Sequence, residues 1–220
     1  MLYLQSQKTD LSPALRTTIE KLEHNSQDLV HSVNNLFNIA KIQSGDMILD
    51  IQKINLTQIC HEILLEFYNL LEKENFRVEV HIKDKPLYAN ADADAISRIL
   101  KNLIDNAIKY GSSGKFLGLS LCEKNNHISI DIEDHGKGIS ETDKKYIFTR
   151  TYTVDRKKGN ELGLAISQGL ASSMGGSISV FSIPRKKQYL RSDYKVRKKL
   201  ESNKKKENFI LYTFFRKEVA

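Results

Sequence analysis

The chain has 220 residues and is 40% hydrophobic, enough for one sizeable domain with an appendage. It contains no apolar run long enough to cross a bilayer and no leader-like start in MLYLQSQKTD. The net charge of +7 is concentrated: residues 185–207 carry +8 and residues 208–220 carry +1, which leaves residues 1–184 at −2 and argues against nucleic acid as a partner. Two cysteines are too few for a disulfide framework or a metal cluster; Cys60 and Cys122 both sit among apolar residues and are expected as buried free thiols of a reducing, cytosolic compartment.

Asp10-Leu11-Ser12-Pro13 opens a helix, with Ser12 or Asp10 as cap and Pro13 in the first turn, and Gly45 stops it after about Ser44. Its apolar stripe is Leu22, Leu29 and Leu36, with Val33 and Ala40 between them. That is the spacing of a helix packing along another helix, a surface this chain largely lacks. Residues 46–55 read as a connector. A second helix at about 56–74 carries Ile59, Ile63, Phe67 and Leu70 on one face. Phe76, Val78, Val80 and Ile82 then alternate with Arg77, Glu79, His81 and Lys83, which predicts a half-buried strand. A helix over about 92–110 turns Ile96, Ile99, Leu100, Leu103 and Ala107 inward. Strands 116–122 and 127–133 form a hairpin around 123–126. Short helices follow at about 140–147 and 162–173, the latter ended by Met174-Gly175-Gly176. Strands 177–183 and 208–215 read as partners flanking the basic segment. This order lacks regular β-α-β alternation, and no P-loop or GxGxxG follows a strand. The expected fold class is α+β, a two-layer sandwich of helices over a mixed, mainly antiparallel sheet, preceded by a long helix.

Three elements carry candidate chemistry. On helix 92–110, Asn102, Asn106 and Lys109 share a face distinct from that of Ile96, Leu103 and Ala107. An Asn oxygen can ligate a hard cation, and Lys can neutralise phosphate. Asp134-His135-Gly136-Lys137-Gly138-Ile139 follows a strand. Its aspartate can accept from an exocyclic amine such as that of adenine, and its glycines allow close backbone approach. Gly159-Asn160-Glu161-Leu162-Gly163-Leu164-Ala165-Ile166 runs into an apolar helix behind Lys157 and Lys158, and a helix start of this kind suits phosphate. Each element alone is weak; their order and spacing together are not.

Together these segments resemble the N, G1 and G2 boxes of the catalytic ATP-binding domain of sensor histidine kinases, whose Bergerat-type fold is shared with gyrase, the Hsp90 chaperones and MutL. NLIDNAIKYG (102–111) is very like the N box. YIFTRTY (146–152) resembles the F box around Phe148, and LGLAISQGLASSMGGSISV (162–180) the helix and strand after G2. LVHSVNNLFNIAKIQSG (29–45) looks like the end of the second helix of the family's dimerisation and phosphotransfer hairpin. The resemblance implies a partial hairpin segment at 1–50 and an ATP-binding domain at 51–220 with a basic insertion at about 185–207. It implies ATP and Mg²⁺ as cofactors. Asn106 would bind Mg²⁺, and Asn102, the candidate catalytic residue, would lie beside the γ-phosphate. Lys109 would contact phosphate and Tyr110 would line the site. Asp134 would read adenine, with Gly136, Gly138 and Ile139 shaping the base pocket. Phe148 would mark the F box, residues 149–161 the ATP lid, and Gly159, Leu162, Gly163 and Leu164 would close over the phosphates.

The sequence departs from the family in three places. The acceptor motif, similar to S-H-E-L-R-T-P, is missing. Ser12-Pro13-Ala14-Leu15-Arg16-Thr17-Thr18 places Pro13 where the histidine belongs, and the 32 residues from Pro13 to Gly45 leave room for one hairpin helix, not two. The acceptor is therefore expected before Met1, and His24, His31 and His135 are assigned no chemistry. Glu161 stands where the family has glycine, close to where phosphates would lie. The 185–207 segment replaces a short turn and could meet an anionic membrane surface. The expected function is the ATP-binding catalytic part of a two-component sensor histidine kinase, partnered by a response regulator and homodimeric in the intact protein. Its location would be the cytosolic side of a sensor that could itself be membrane-bound. The alternative is a non-catalytic ATP-binding regulator that associates with an intact kinase. A gyrase- or MutL-like ATPase is disfavoured, because those relatives place a glutamate where this chain has Asn102.

Overall fold

The computed structural model describes residues 12–124, 127–149, 162–182 and 196–197. Helix α1 (Pro13–Ser44) starts as its sequence dictates: the Ser12 hydroxyl accepts from the Leu15 N–H at 3.4 Å, Pro13 fills the first turn, and Gly45 ends the helix at φ 76°. Strand β1 (Gln52–Asn55) leads directly into α2 (Leu56–Lys73), which the Asn55 side chain caps. Strands β2 (Arg77–Ile82) and β3 (Tyr88–Ala91) precede α3 (Ala93–Tyr110), and a turn of 3-10 helix follows at Gly111–Ser113. Asp92 caps α3 with one carboxylate oxygen on the Ala95 N–H, and its other oxygen accepts from Asp50 N–H. Strands β4 (Phe116–Lys124) and β5 (His127–Asp134) form the hairpin. The short α4 (Glu141–Lys144), α5 (Gly163–Ser173) and strand β6 (Val196–Arg197) complete the described elements.

Two sheets result. β1 and β3 form an antiparallel pair, Gln52 opposite Ala91 and Asn55 opposite Tyr88. The larger sheet has the order β2-β4-β5-β6, with β2 parallel to β4 and the other pairs antiparallel. Its inner face brings Leu117, Leu119 and Leu121 against Ile128, Ile130 and Ile132. The helix layer lays Ile96, Ile99, Leu100, Leu103 and Ala107 of α3, Ile59 and Ile63 of α2, and Ile166 and Leu170 of α5 on that face. Burying each such leucine or isoleucine contributes about 1.5–3 kcal/mol, so this layer dominates the stability and fixes α3 and α5 side by side. The expected α+β sandwich behind a long helix is what forms.

Several expectations change. The connector 46–55 contains β1, whose four residues are too few to show alternation, and its partner β3 was not anticipated. Val78 and Val80, expected inward, are 37% and 43% exposed because β2 is the outermost strand and α2 covers only part of it. Cys122 is exposed, on the sheet face opposite the helices, whereas Cys60 is buried and its thiol is pushed up to about 12 by that burial. The helix expected over 140–147 is helical only to Lys144 and continues as turns. Of the strand expected at 177–183, the described residues form only a bridge at Phe181, and its expected partner 208–215 lies outside them. Within the basic segment, Val196 and Arg197 pair with Ile128 and His127, and the remaining residues lie outside the described set.

Helix α1 docks by its last third. Asn35 is buried and accepts from the Arg98 guanidinium of α3 at 3.2 Å. Ile39 and Ile42 pack on the core, and Ile42 lies so close to Gly169 of α5 that a Cβ there would sit 2.8 Å from it. The Leu22, Leu29, Leu36 stripe faces away from this contact and is exposed.

Candidate functional site

The site lies where the C-terminal half of α3 meets the end of β5 and the start of α5. Because Ile96, Leu100, Leu103 and Ala107 are committed to the core, the helical repeat leaves Asn102, Asn106 and Lys109 on a flank that is not buried. The Asn102 side-chain nitrogen donates to the Gly163 carbonyl at 3.3 Å and to the Ser167 hydroxyl at 3.2 Å. Asn102 and Gly163, sixty-one residues apart, are thus in contact. The Asn106 amide is half-buried and makes no hydrogen bond among the described residues. Lys109 pairs with Asp105 one turn back at 2.6 Å, both side chains well exposed. Tyr110 is exposed at the helix end.

Strand β5 delivers Asp134 into the interior, where it is 3% exposed. Burial raises its carboxyl to about 7, opposed by the Gly136 N–H, which donates to Oδ1 at 2.8 Å, and reinforced by the charge of Glu133. No other hydrogen bond reaches this carboxyl among the described residues. Gly136 then passes beneath the end of α3: a Cβ there would lie 2.4 Å from the Tyr110 carbonyl oxygen and 2.8 Å from Asp134 Oδ1, so only glycine fits. Gly138 follows with φ 72°, in the region that favours glycine. The Ile139 N–H donates to the buried Ser182 hydroxyl, and Lys144 reaches the Ser182 carbonyl at 2.7 Å, so α4 and the loop after β5 are anchored to one residue.

The structure therefore brings Asn102 to Gly163, and the end of α3 at Tyr110 and Gly111 to Gly136 and Asp134. Phe148, Leu162 and Leu164 are partly buried against the core below them. Gly159 and residues 150–161 lie outside the described residues. Leu162 precedes α5 and makes no side-chain cap, which leaves the first N–H groups of that helix without a capping side chain among the described residues. In contrast to Gly136, a Cβ on Gly163 would meet Asn102 at an ordinary 3.7 Å. Crowding among the described residues therefore does not explain this glycine.

Sequence reasoning gave no role to four residues here. Ser167 is fully buried against Asn102; its place one helical turn after Gly163 was visible, but a serine in an apolar helix gave no reason to look. Gly111 and Gly114 read only as a helix end. A Cβ on Gly111 would be 3.0 Å from that of Asp134, and one on Gly114 would be 2.0 Å from the His135 carbonyl oxygen. His135 stacks on Phe116 with ring centres 3.9 Å apart and approaches Glu133 at 3.3 Å. Its pKa is lowered chiefly by burial, with Glu133 opposing.

Comparison with known proteins agrees with this geometry. The family described as histidine kinase-, DNA gyrase B-, and HSP90-like ATPase matches residues 91–208, which hold every candidate site residue. The sensor histidine kinase YcbM of Bacillus subtilis (strain 168) is 40% identical over 169 residues, 74% of this chain and 54% of that protein. The kinase ArlS of Staphylococcus haemolyticus is 29% identical over 78% of this chain and 38% of its own length. The chain thus spans about half or less of these relatives. Among solved structures, the Acinetobacter baumannii histidine kinase AdeS superposes with a TM-score of 0.68 at 20% identity, covering 88% of this chain and 89% of that one. Full-length ShkA in complex with AMPPNP gives 0.74 at 19% identity, over 86% of this chain and 40% of that one. A buried aspartate after the hairpin, an asparagine-bearing helix and a glycine-started helix clasped to it are thus found in a chain that belongs to the histidine kinase-, DNA gyrase B- and HSP90-like ATPase family, with an ATP-binding domain of the sensor histidine kinase type.

Proposed function

We propose that this site takes Mg²⁺–ATP and donates its γ-phosphate to a histidine that this sequence does not present in the family's acceptor motif, for relay to a response-regulator aspartate. The observation that carries the reading is Asp134: a buried carboxyl with one oxygen held by the Gly136 N–H and the other without a protein partner among the described residues. That oxygen can accept from the adenine amine. Gly136, Gly138 and Ile139 shape the base pocket beside it. The donor set fits the metal, since Asn106 offers an amide oxygen engaged by no described residue and Mg²⁺ prefers oxygen ligands. When bound, the ion would neutralise phosphate charge. Asn102 would lie beside the γ-phosphate. The start of α5, with Leu162, Gly163 and Leu164, would receive the phosphates on its uncapped N–H groups, together with Gly159 from the lid. Lys109 can swing from Asp105 to phosphate at little expense, because exposed ion pairs contribute only about 0–1 kcal/mol. Tyr110 would line the rim, and Phe148 would seat the lid's first residues. Transfer itself would rest on positioning and electrostatic stabilisation.

In the same reading, residues 1–50 belong to a dimerisation and phosphotransfer hairpin and 51–220 to the ATP-binding domain. The exposed stripe of α1 is the face along which a homodimer would assemble. The basic segment at 185–207 would meet an anionic membrane surface. No helix among the described residues is long and apolar enough to cross a membrane, and the reading places this part of the protein on the cytosolic side. The test is thermal unfolding with Mg²⁺ and a non-hydrolysable ATP analogue, on this chain and on Asp134→Ala. Ligand at a hundred times its Kd adds about 2.7 kcal/mol, a clear rise in Tm that should vanish in the variant. Addition of a separate histidine-bearing hairpin and labelled ATP should then yield an acid-labile phosphoprotein. No Tm rise at millimolar nucleotide would sink the reading.

A further inference from the structure

We infer that Ser167 is a positioning residue for Asn102, holding in place the carboxamide whose polarity the Gly163 carbonyl sets and whose oxygen is left for the bound nucleotide and metal. The inference rests on the ATP-site reading above and goes beyond it by assigning a role to a residue outside the three recognised segments' ligand-facing positions. The orientation of a carboxamide is decided by its partners. The Gly163 carbonyl can only accept, so the atom 3.3 Å from it is the nitrogen. The Ser167 oxygen, 3.2 Å away, takes the second proton of that same nitrogen. Both donors of Asn102 are consumed by α5, and its carbonyl oxygen, engaged by no described residue, is the end left for the site. Beside the γ-phosphate that oxygen would attract the nucleotide's cation or a group that donates, and a carboxamide that left the clasp would lose this contact.

Ser167 is 0% exposed, so water cannot replace it as acceptor without a rearrangement of α5. With alanine at 167, Gly163 alone would hold one proton of the Asn102 nitrogen, and the second would be buried without an acceptor, a state that favours the side chain leaving the clasp. The clasp also works in the other direction. Because Gly163 and Ser167 are one turn apart on α5, Asn102 bridges the first turn of that helix to α3 and fixes the height at which its uncapped N–H groups stand.

The experiment compares wild type, Ser167→Ala, Asn102→Ala and the double variant. The first readout needs no nucleotide: the Asn102 side-chain NH₂ resonances, identified by their loss in Asn102→Ala, should shift and exchange faster in Ser167→Ala. The second is the affinity for a non-hydrolysable ATP analogue with Mg²⁺, set against ADP without metal. Ser167→Ala should weaken the first about five-fold, the worth of one net hydrogen bond, and leave the second unchanged. In the Asn102→Ala background it should have no further effect. Unchanged NH₂ resonances would overturn the positioning role whatever the nucleotide does. Equal losses for both ligands, or additive losses in the double variant, would mark Ser167 as a packing residue and overturn it as well. Shifted resonances in Ser167→Ala, together with a wild-type protein that binds neither nucleotide, would instead overturn the ATP reading, and with it Ser167's role toward the nucleotide.

Discussion

Binding of the adenine ring should depend on pH through Asp134. In the folded protein its carboxyl titrates at about 7, against 3.8 for an unperturbed group, and the dominant cause is burial. Only the ionised form offers both oxygens as acceptors. With Gly136 N–H on one of them, the protonated form would turn an O–H toward the adenine amine, donor against donor. The apparent Kd should therefore be about ten-fold weaker at pH 6 than at pH 8, since the ionised fraction changes from roughly a tenth to roughly nine tenths. Stability of the nucleotide-free protein should move the opposite way. A carboxyl whose folded pKa is raised keeps its proton in the native state after the unfolded chain has lost it. Its contribution is thus fully present below about pH 4 and is lost as pH rises through about 7. A shift of about three units corresponds to something on the order of 4 kcal/mol across that window. Adenosine, which carries no phosphate to titrate, is the ligand for calorimetry between pH 5.5 and 8.5, with chemical denaturation of the apo-protein over pH 4–8. Asp134→Asn should remove both dependences, and with an amide nitrogen facing the base it should favour purines bearing an oxygen at that position. An adenosine Kd that is flat between pH 6 and 8 would refute the argument.

Gly136→Ala should lose the base pocket and about 2–3 kcal/mol of stability, because its methyl would meet the Tyr110 carbonyl; denaturant titration reads the second and nucleotide titration the first. Gly163→Ala should leave apo-protein Tm nearly unchanged, given its 3.7 Å clearance, yet weaken binding of the ATP analogue, which would assign that glycine to ligand contact. Gly169→Ala should destabilise by about 1–3 kcal/mol through Ile42, and pairing it with Ile42→Ala should recover part of the loss, as a double-mutant cycle can measure. Leu29→Glu, at a side chain 66% exposed, should leave folding unaffected but abolish self-association seen by sedimentation if the α1 stripe is a dimer face.

Much of this molecule was legible in its sequence because the helices announce themselves. Ser12, Pro13 and Gly45 bracket α1, and the spacing of Ile96, Ile99, Leu103 and Ala107 gives α3 its buried face and therefore the flank left unburied. The aspartate that ends β5 and the glycines of the loop after it were readable as a strand end and a turn, because Asp-x-Gly-x-Gly closes an alternating run. What failed was what depends on neighbours. β1 and β3 are four residues each and exist through their mutual pairing, which no local pattern encodes. Val78 and Val80 alternate properly, but alternation says nothing about whether a strand sits at the rim of its sheet. The Ser167 and Gly114 contacts cross sixty-five and twenty-one residues of chain and become visible only when α3, β5 and α5 are laid together. The pairing of Lys109 with Asp105, one turn back on the same helix, was likewise not read from the sequence.

The manner in which α1 is fastened has a mechanical consequence. From Leu15 to Ile42 the helix spans 27 residues, about 40 Å. Its contacts with the ATP-binding body described above, through Asn35, Ile39 and Ile42, all lie at one end. It is a cantilever. A tilt of about 10° at the clamped end sweeps the far end through roughly 7 Å for a helix of that length. Read backwards, several ångströms of displacement at the free end are geared down to a fraction of an ångström at Gly169. That residue lies on the helix whose first turn grips Asn102, so the gearing would deliver coarse motion at the scale of a hydrogen bond's tolerance.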